Sequence, residues 1–150
     1  MNSIFPACTF NMGPKTVSVE HADTGNLASG GCPVTSGGNY DPKLGGHMVL
    51  FSLGIVVEFP PGSTIIIPSS TLSHGNTAIQ PEETRVSFTQ YCAGGLHHWV
   101  ECGYQSIRSC TGKIKEKMAS EAGLRWLEAV NRFSKVDELH KDRIKAFKLK

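Results

Sequence analysis

Residues 58 to 91, EFPPGSTIIIPSSTLSHGNTAIQPEETRVSFTQY, read as two strands joined by a loop that carries His74, and the second strand opens on Arg85. Side chains along a strand repeat every two residues, so Arg85, Ser87, Thr89 and Tyr91 share one face while Val86, Phe88 and Gln90 share the other. This pattern puts a permanent cation inside a β structure. A guanidinium with little water around it stays charged and needs acceptors, so an anion must meet it. That anion is either an acidic side chain or a bound carboxylate.

The rest of the chain is organised by turns. An apolar, β-compatible run from Ile4 to Phe10 ends at Gly13-Pro14, and a strand is expected over Thr16 to Glu20, directly before His21-Ala22-Asp23. Thr24 to Tyr40 is rich in Gly, Ser, Asn and Thr and reads as a long loop, a length that in a compact domain usually signals function or mobility. Asp41 to Gly46 turns into a strand from His47 to Ser52, and Gly54 leads into another from Ile55 to Phe59. At Pro60-Pro61-Gly62-Ser63, proline sets the negative φ of a turn and glycine the positive one. Short strands at this spacing predict a jelly roll or barrel, with no long helix between Thr16 and Tyr91. From Ser120 the period changes: Leu124, Leu127, Val130 and Phe133 fall at helical spacing, and Leu139, Ile144 and Phe147 continue among lysines and arginines. The fold class is therefore mainly β with a C-terminal α-helical extension, divided as a β domain over 1–110 and a basic helical tail over 111–150.

At 150 residues there is room for one modest core, and 16 glycines with 19% charged residues exclude a coiled coil or a disordered chain. The net charge of +2 is unevenly spread: through Cys110 there are four basic and seven acidic residues, after it eleven and six. Five cysteines, with no CxxC pair, make a poor disulfide framework and read as reduced thiols of an intracellular protein. No secretory signal opens the chain, and its most apolar region, 49–68, is broken by Glu58 and a proline pair, so no membrane span is expected.

His21-x-Asp23 offers two ligands from one strand end, since residues i and i+2 point the same way, and His74 offers a third from a distant strand. Two imidazoles and one carboxylate form the facial triad of non-haem Fe(II) oxygenases. Arg85 follows His74 by a short connection, so a keto acid chelating iron at one end would present its far carboxylate to the guanidinium, with a hydroxyl hydrogen bond from Ser87. Each motif alone has a plainer reading: a chance HxD, a turn histidine, an arginine in an ion pair. The ordered set HxD, His, RxS in a β-rich chain is harder to obtain by accident.

Three segments sharpen this: Asn39-Tyr40-Asp41-Pro42-Lys43-Leu44-Gly45-Gly46-His47, Val57-Glu58-Phe59-Pro60-Pro61-Gly62-Ser63-Thr64, and Arg85-Val86-Ser87-Phe88-Thr89-Gln90-Tyr91 with Ala93-Gly94-Gly95-Leu96. Together they resemble the fungal TET/JBP-like 2-oxoglutarate/Fe(II) dioxygenases, many of which accompany transposons in mushroom-forming fungi, over roughly Thr9 to Ser106. The resemblance implies a double-stranded β-helix, with His21, Asp23 and His74 as iron ligands and Arg85 binding 2-oxoglutarate. It also implies oxidation of a methylated base in DNA or RNA, 5-methylcytosine first, and a nuclear location. Such an enzyme must hold an extruded base near its metal. Asn39, Tyr40, Asp41 and His47 are candidates for that contact, against a plainer reading of Asn39 and Asp41 as turn residues and Tyr40 as packing.

Only twenty residues precede His21, fewer than the family pattern, so a shortened member is expected. Two other readings stay open: a barrel remnant that binds metal or nucleic acid without turnover, and a cupin-like small-molecule oxygenase. Cys92, His97, His98, Cys102 and Cys110 lack compact zinc-ligand spacing and read as packing residues. The lysines and arginines of the tail, from Lys113 to Lys150, suit either phosphate contact or a solvated helix face.

Overall fold

The computed structural model describes residues 3–148, and Lys150 of the basic tail lies outside them. The chain divides into two compact units, Met1–Ile107 and Arg108–Lys150. The first holds two antiparallel sheets. Strands β1 (Ala7–Asn11), β2 (Cys32–Asn39), β5 (Thr64–Ile67) and β7 (Thr84–Tyr91) form one in the order β1-β7-β2-β5, and β3 (Met48–Leu50), β4 (Ile55–Val57) and β6 (His74–Asn76) form the other in the order β4-β3-β6. Helix α1 (Gly94–Glu101) completes this unit.

Its core joins the two sheets. Val34 of β2 and Ile67 of β5 pack with Met48 and Leu50 of β3 and with Phe59, flanked by Val57, Ile65 and Leu72. Each such side chain contributes about 1.5–3 kcal/mol by leaving water. Among the described residues the architecture is thus mainly antiparallel β with four short helices, and the two sheets do not close into a barrel.

Several expected boundaries are overturned. The long loop over Thr24 to Tyr40 contains β2, which lies between β7 and β5. Its small polar residues suggested a loop, yet Cys32, Val34 and Ser36 are buried, and the glycines permit close packing. Gly38 has φ +119°, and a Cβ there would stand 2.2 Å from the Thr84 carbonyl oxygen. Glycine alone tolerates both conditions. Conversely, the strand expected over Thr16 to Glu20 is an irregular extended segment, held by isolated bridges Lys15 to Arg85 and His21 to His74. His74 stands on a strand, not a loop, with β6 paired to β3. The strand expected from His47 to Ser52 shortens to β3, followed by a 3-10 turn over Phe51–Leu53 that Gly54 ends at φ +63°.

The second unit contains α2 (Gly112–Ser120), α3 (Ala122–Val130) and α4 (Leu139–Phe147). Helix α2, with its alternating lysines, has too little apolar periodicity to be seen in sequence. Ser120 is the last residue of α2, and Glu121 occupies the N-cap of α3. No helix among the described residues is long and apolar enough to cross a membrane.

Candidate metal centre

His21 and His74 are brought together by their own backbones. The His21 amide donates to the His74 carbonyl at 3.0 Å and the His74 amide returns the bond at 2.9 Å. This antiparallel pair sets both imidazoles side by side, with ring centroids 4.4 Å apart and planes tilted 48°. Gly75 lets β6 approach the segment before His21, because a Cβ there would lie 2.7 Å from the Ser18 carbonyl oxygen. The Asp23 amide is held by the Ser69 carbonyl at 2.9 Å, and its carboxylate turns back toward both rings. One carboxylate oxygen stands 3.6 Å from His21 Nε2 and the other 4.0 Å from His74 Nε2.

The hydrogen bonds behind the rings decide what faces inward. His21 Nδ1 lies 2.8 Å from the Val19 carbonyl oxygen and His74 Nδ1 lies 2.8 Å from the Leu72 carbonyl oxygen. A carbonyl only accepts, so each Nδ1 carries a proton, and Nε2 is the ring nitrogen that faces Asp23 and is placed to ligate a metal. Two imidazole nitrogens and a carboxylate then converge, all ligand atoms within 4.8 Å of one another. Such a set could hold a metal ion, and its composition fits Fe(II). Among the described residues no other set of three His, Cys, Asp or Glu side chains converges in this way. Cys92 Sγ and His97 Nε2 lie 3.6 Å apart without a third ligand of that kind.

Arg85 is 2% exposed. In the ladder it stands opposite Gly38 of β2, where a Cβ would press on the Thr84 carbonyl and the Arg85 Cα. Its Nη1 donates to the Thr16 carbonyl at 3.3 Å, while its Nε has no hydrogen-bond partner. No carboxylate among the described residues reaches it within 4.0 Å. Burial pushes the guanidinium pKa down, and the Tyr40 hydroxyl beside it works in the opposite direction. Of the two anions open to Arg85, an acidic side chain is therefore absent among the described residues, which leaves the cation ready for a bound carboxylate.

Ser87, also buried, accepts a hydrogen bond from Asn11 Nδ2 at 3.0 Å. The serine hydrogen is left to donate elsewhere, and Asn11 orients it. Asn11 was invisible in sequence because its role depends on the β1–β7 register, which sets it opposite Ser87. His21, Asp23, His74, Arg85, Ser87 and Asn11 all line one cavity of about 380 Å³.

The remaining candidates do not line that cavity. Tyr40 is buried and hydrogen-bonds Ser36 Oγ at 2.7 Å and the Phe59 carbonyl. The Asn39 amide donates to Thr84 Oγ1, and Asp41 Oδ1 accepts from the Lys43 amide in a local turn. His47 Nδ1 lies 3.1 Å from Thr77 Oγ1.

No protein-family model matches the chain, and no curated protein matches it. Among solved structures, NgTET1 in complex with 5mC DNA superposes with a TM-score of 0.53 at 16% identity, over 60% of this chain and 34% of that one. The chain is similar in fold to NgTET1. It spans about a third of the NgTET1 chain. A viral collagen prolyl hydroxylase, vCPH from Paramecium Bursaria Chlorella virus-1 in its 2OG complex, matches with a TM-score of 0.42 at 12% identity, over 59% of this chain and 62% of that one.

Proposed function

We propose that the protein is an Fe(II)/2-oxoglutarate-dependent dioxygenase of TET/JBP type that oxidises a methylated base, 5-methylcytosine first, in DNA or RNA. One observation carries this reading: a convergent His21, Asp23, His74 cluster and a buried Arg85 with no carboxylate within 4.0 Å among the described residues share a single cavity. His21, Asp23 and His74 hold the metal, their Nδ1 bonds keeping both Nε2 lone pairs available. Arg85 and Ser87 hold the far carboxylate of the keto acid, and burial strengthens that ion pair by excluding water. Iron(II) bound with 2-oxoglutarate supplies oxidative chemistry that turns a methyl group and dioxygen into hydroxymethyl, with succinate and carbon dioxide as co-products.

The choice of a nucleic-acid substrate rests on the TET/JBP-like motifs and is consistent with the likeness in fold to NgTET1, solved with 5mC DNA. Residues 108–150 carry twelve basic and six acidic residues, a balance that suits contact with phosphate. Asn39, Tyr40, Asp41 and His47 keep at most indirect roles toward a base.

The test is incubation with Fe(II), 2-oxoglutarate and methylated DNA or RNA, reading succinate and the nucleosides by mass spectrometry. Succinate with 5-hydroxymethylcytosine is expected. Folded protein that releases no succinate overturns the oxygenase reading, and succinate without base oxidation overturns the substrate.

A further inference from the structure

We propose that Asn76 is a positioning residue that ties the metal-binding arm to the anion-binding arginine, so that one side chain sets the affinity of both. The inference rests on the metal and keto-acid reading above. Asn76 follows His74 by two residues on β6, and its amide makes three hydrogen bonds. Oδ1 accepts from the Ser18 amide at 2.8 Å, and Nδ2 donates to the Thr77 carbonyl at 2.9 Å and to the Thr16 carbonyl at 3.2 Å. An N–H requires an acceptor and a carbonyl requires a donor, so the amide has one orientation only.

These bonds stand where a ladder is missing. The segment from Thr16 to Glu20 forms no regular strand, yet it delivers His21 to the metal centre. The Asn76 side chain replaces the absent pairing, and its backbone amide adds a bond to the Ser18 carbonyl at 2.9 Å. The same segment grips the arginine. Thr16 Oγ1 donates to the Arg85 carbonyl at 2.6 Å, and the Thr16 carbonyl accepts from Arg85 Nη1 as well as from Asn76 Nδ2. One carbonyl oxygen is thus shared by the guanidinium and by the amide that anchors the His21 segment. Asn76 also lines the cavity.

Asn76→Asp and Asn76→Ala separate this role from simple packing. Aspartate keeps the acceptor for Ser18 but loses both donor bonds, and it sets a carboxylate within reach of the oxygen that Arg85 contacts. It competes with the keto acid for the guanidinium. The expected result is about a tenfold loss of 2-oxoglutarate affinity with Fe(II) affinity held within about threefold, whereas alanine weakens both about tenfold. Anaerobic titrations of Fe(II) alone, and of 2-oxoglutarate onto the Fe(II)-loaded chain, read both constants. Folded variants that bind both as the wild type does overturn the proposal, while a wild type that binds neither overturns the metal-centre reading instead. Amide hydrogen exchange of the metal-free wild type supplies a readout that needs no variant. Slow exchange at Ser18 is expected, and exchange as fast as that of an open chain contradicts the anchor.

Discussion

His21 and His74 exchange two backbone hydrogen bonds, at 3.0 and 2.9 Å, and this pairing across more than fifty residues makes their imidazoles neighbours. The two imidazoles of the candidate metal centre are therefore placed by chain pairing. On the proposed reading, perturbing the pairing harms metal binding even where no ligand is touched.

Gly75→Ala tests this most simply. The new Cβ would fall 2.7 Å from the Ser18 carbonyl oxygen and 3.1 Å from that of Val19. The segment carrying His21 must withdraw, and both ring positions shift. Fe(II) affinity is expected to fall at least about tenfold, as for loss of a supporting contact, with about 1–3 kcal/mol of stability lost. Anaerobic metal titration and thermal melting measure the two effects.

Arg85→Met gives opposite signs for stability and for ligand response. The native side chain is a buried cation whose Nε has no partner, so an apolar replacement of similar length relieves an uncompensated charge. The ligand-free variant is expected to be as stable as the wild type or more so, by on the order of 1 kcal/mol. The melting temperature of the wild type rises with 2-oxoglutarate, by a linkage worth about 2.7 kcal/mol at a hundred times Kd, and that rise disappears in the variant. Differential scanning calorimetry with and without the keto acid reads both.

Asn11→Ala removes the donor that orients Ser87 and leaves all three metal ligands untouched. Keto-acid affinity falls about threefold to tenfold, as for one neutral hydrogen bond of about 1 kcal/mol, with unchanged Fe(II) affinity. Isothermal titration of each ligand checks the split. An equal loss of both would contradict the assignment of Asn11 to the carboxylate end.

Tyr40→Phe separates a structural tyrosine from a substrate contact. The phenol bonds Ser36 Oγ and the Phe59 carbonyl, both at buried positions, so its loss costs about 1–3 kcal/mol of folding stability. Affinity for methylated DNA, measured by fluorescence anisotropy on the folded variant, should stay at the wild-type value.

The convergence of the candidate residues is legible in sequence because its parts obey short rules. The two-residue period of a strand puts Arg85 and Ser87 on one face, and both line the cavity that His21, Asp23 and His74 share. The rest depends on pairing between distant segments. The strand β2 hid behind small residues whose purpose is close approach to β7, and Gly38, which reads as loop, is a point of contact with the Thr84 backbone. Asn11 and Asn76 looked ordinary because an amide becomes informative only when its partners are known. The segment before His21 read as a strand by composition, yet an asparagine side chain supplies bonds that a neighbouring strand would have made.

The most direct measurement is an anaerobic spectrophotometric titration of the full chain with Fe(II) and 2-oxoglutarate, repeated on His74→Ala. The wild type should develop a metal-to-ligand charge-transfer band that saturates at one iron per chain, and His74→Ala should develop none. A folded wild type that shows no band, or a variant that shows the same band, would contradict the account.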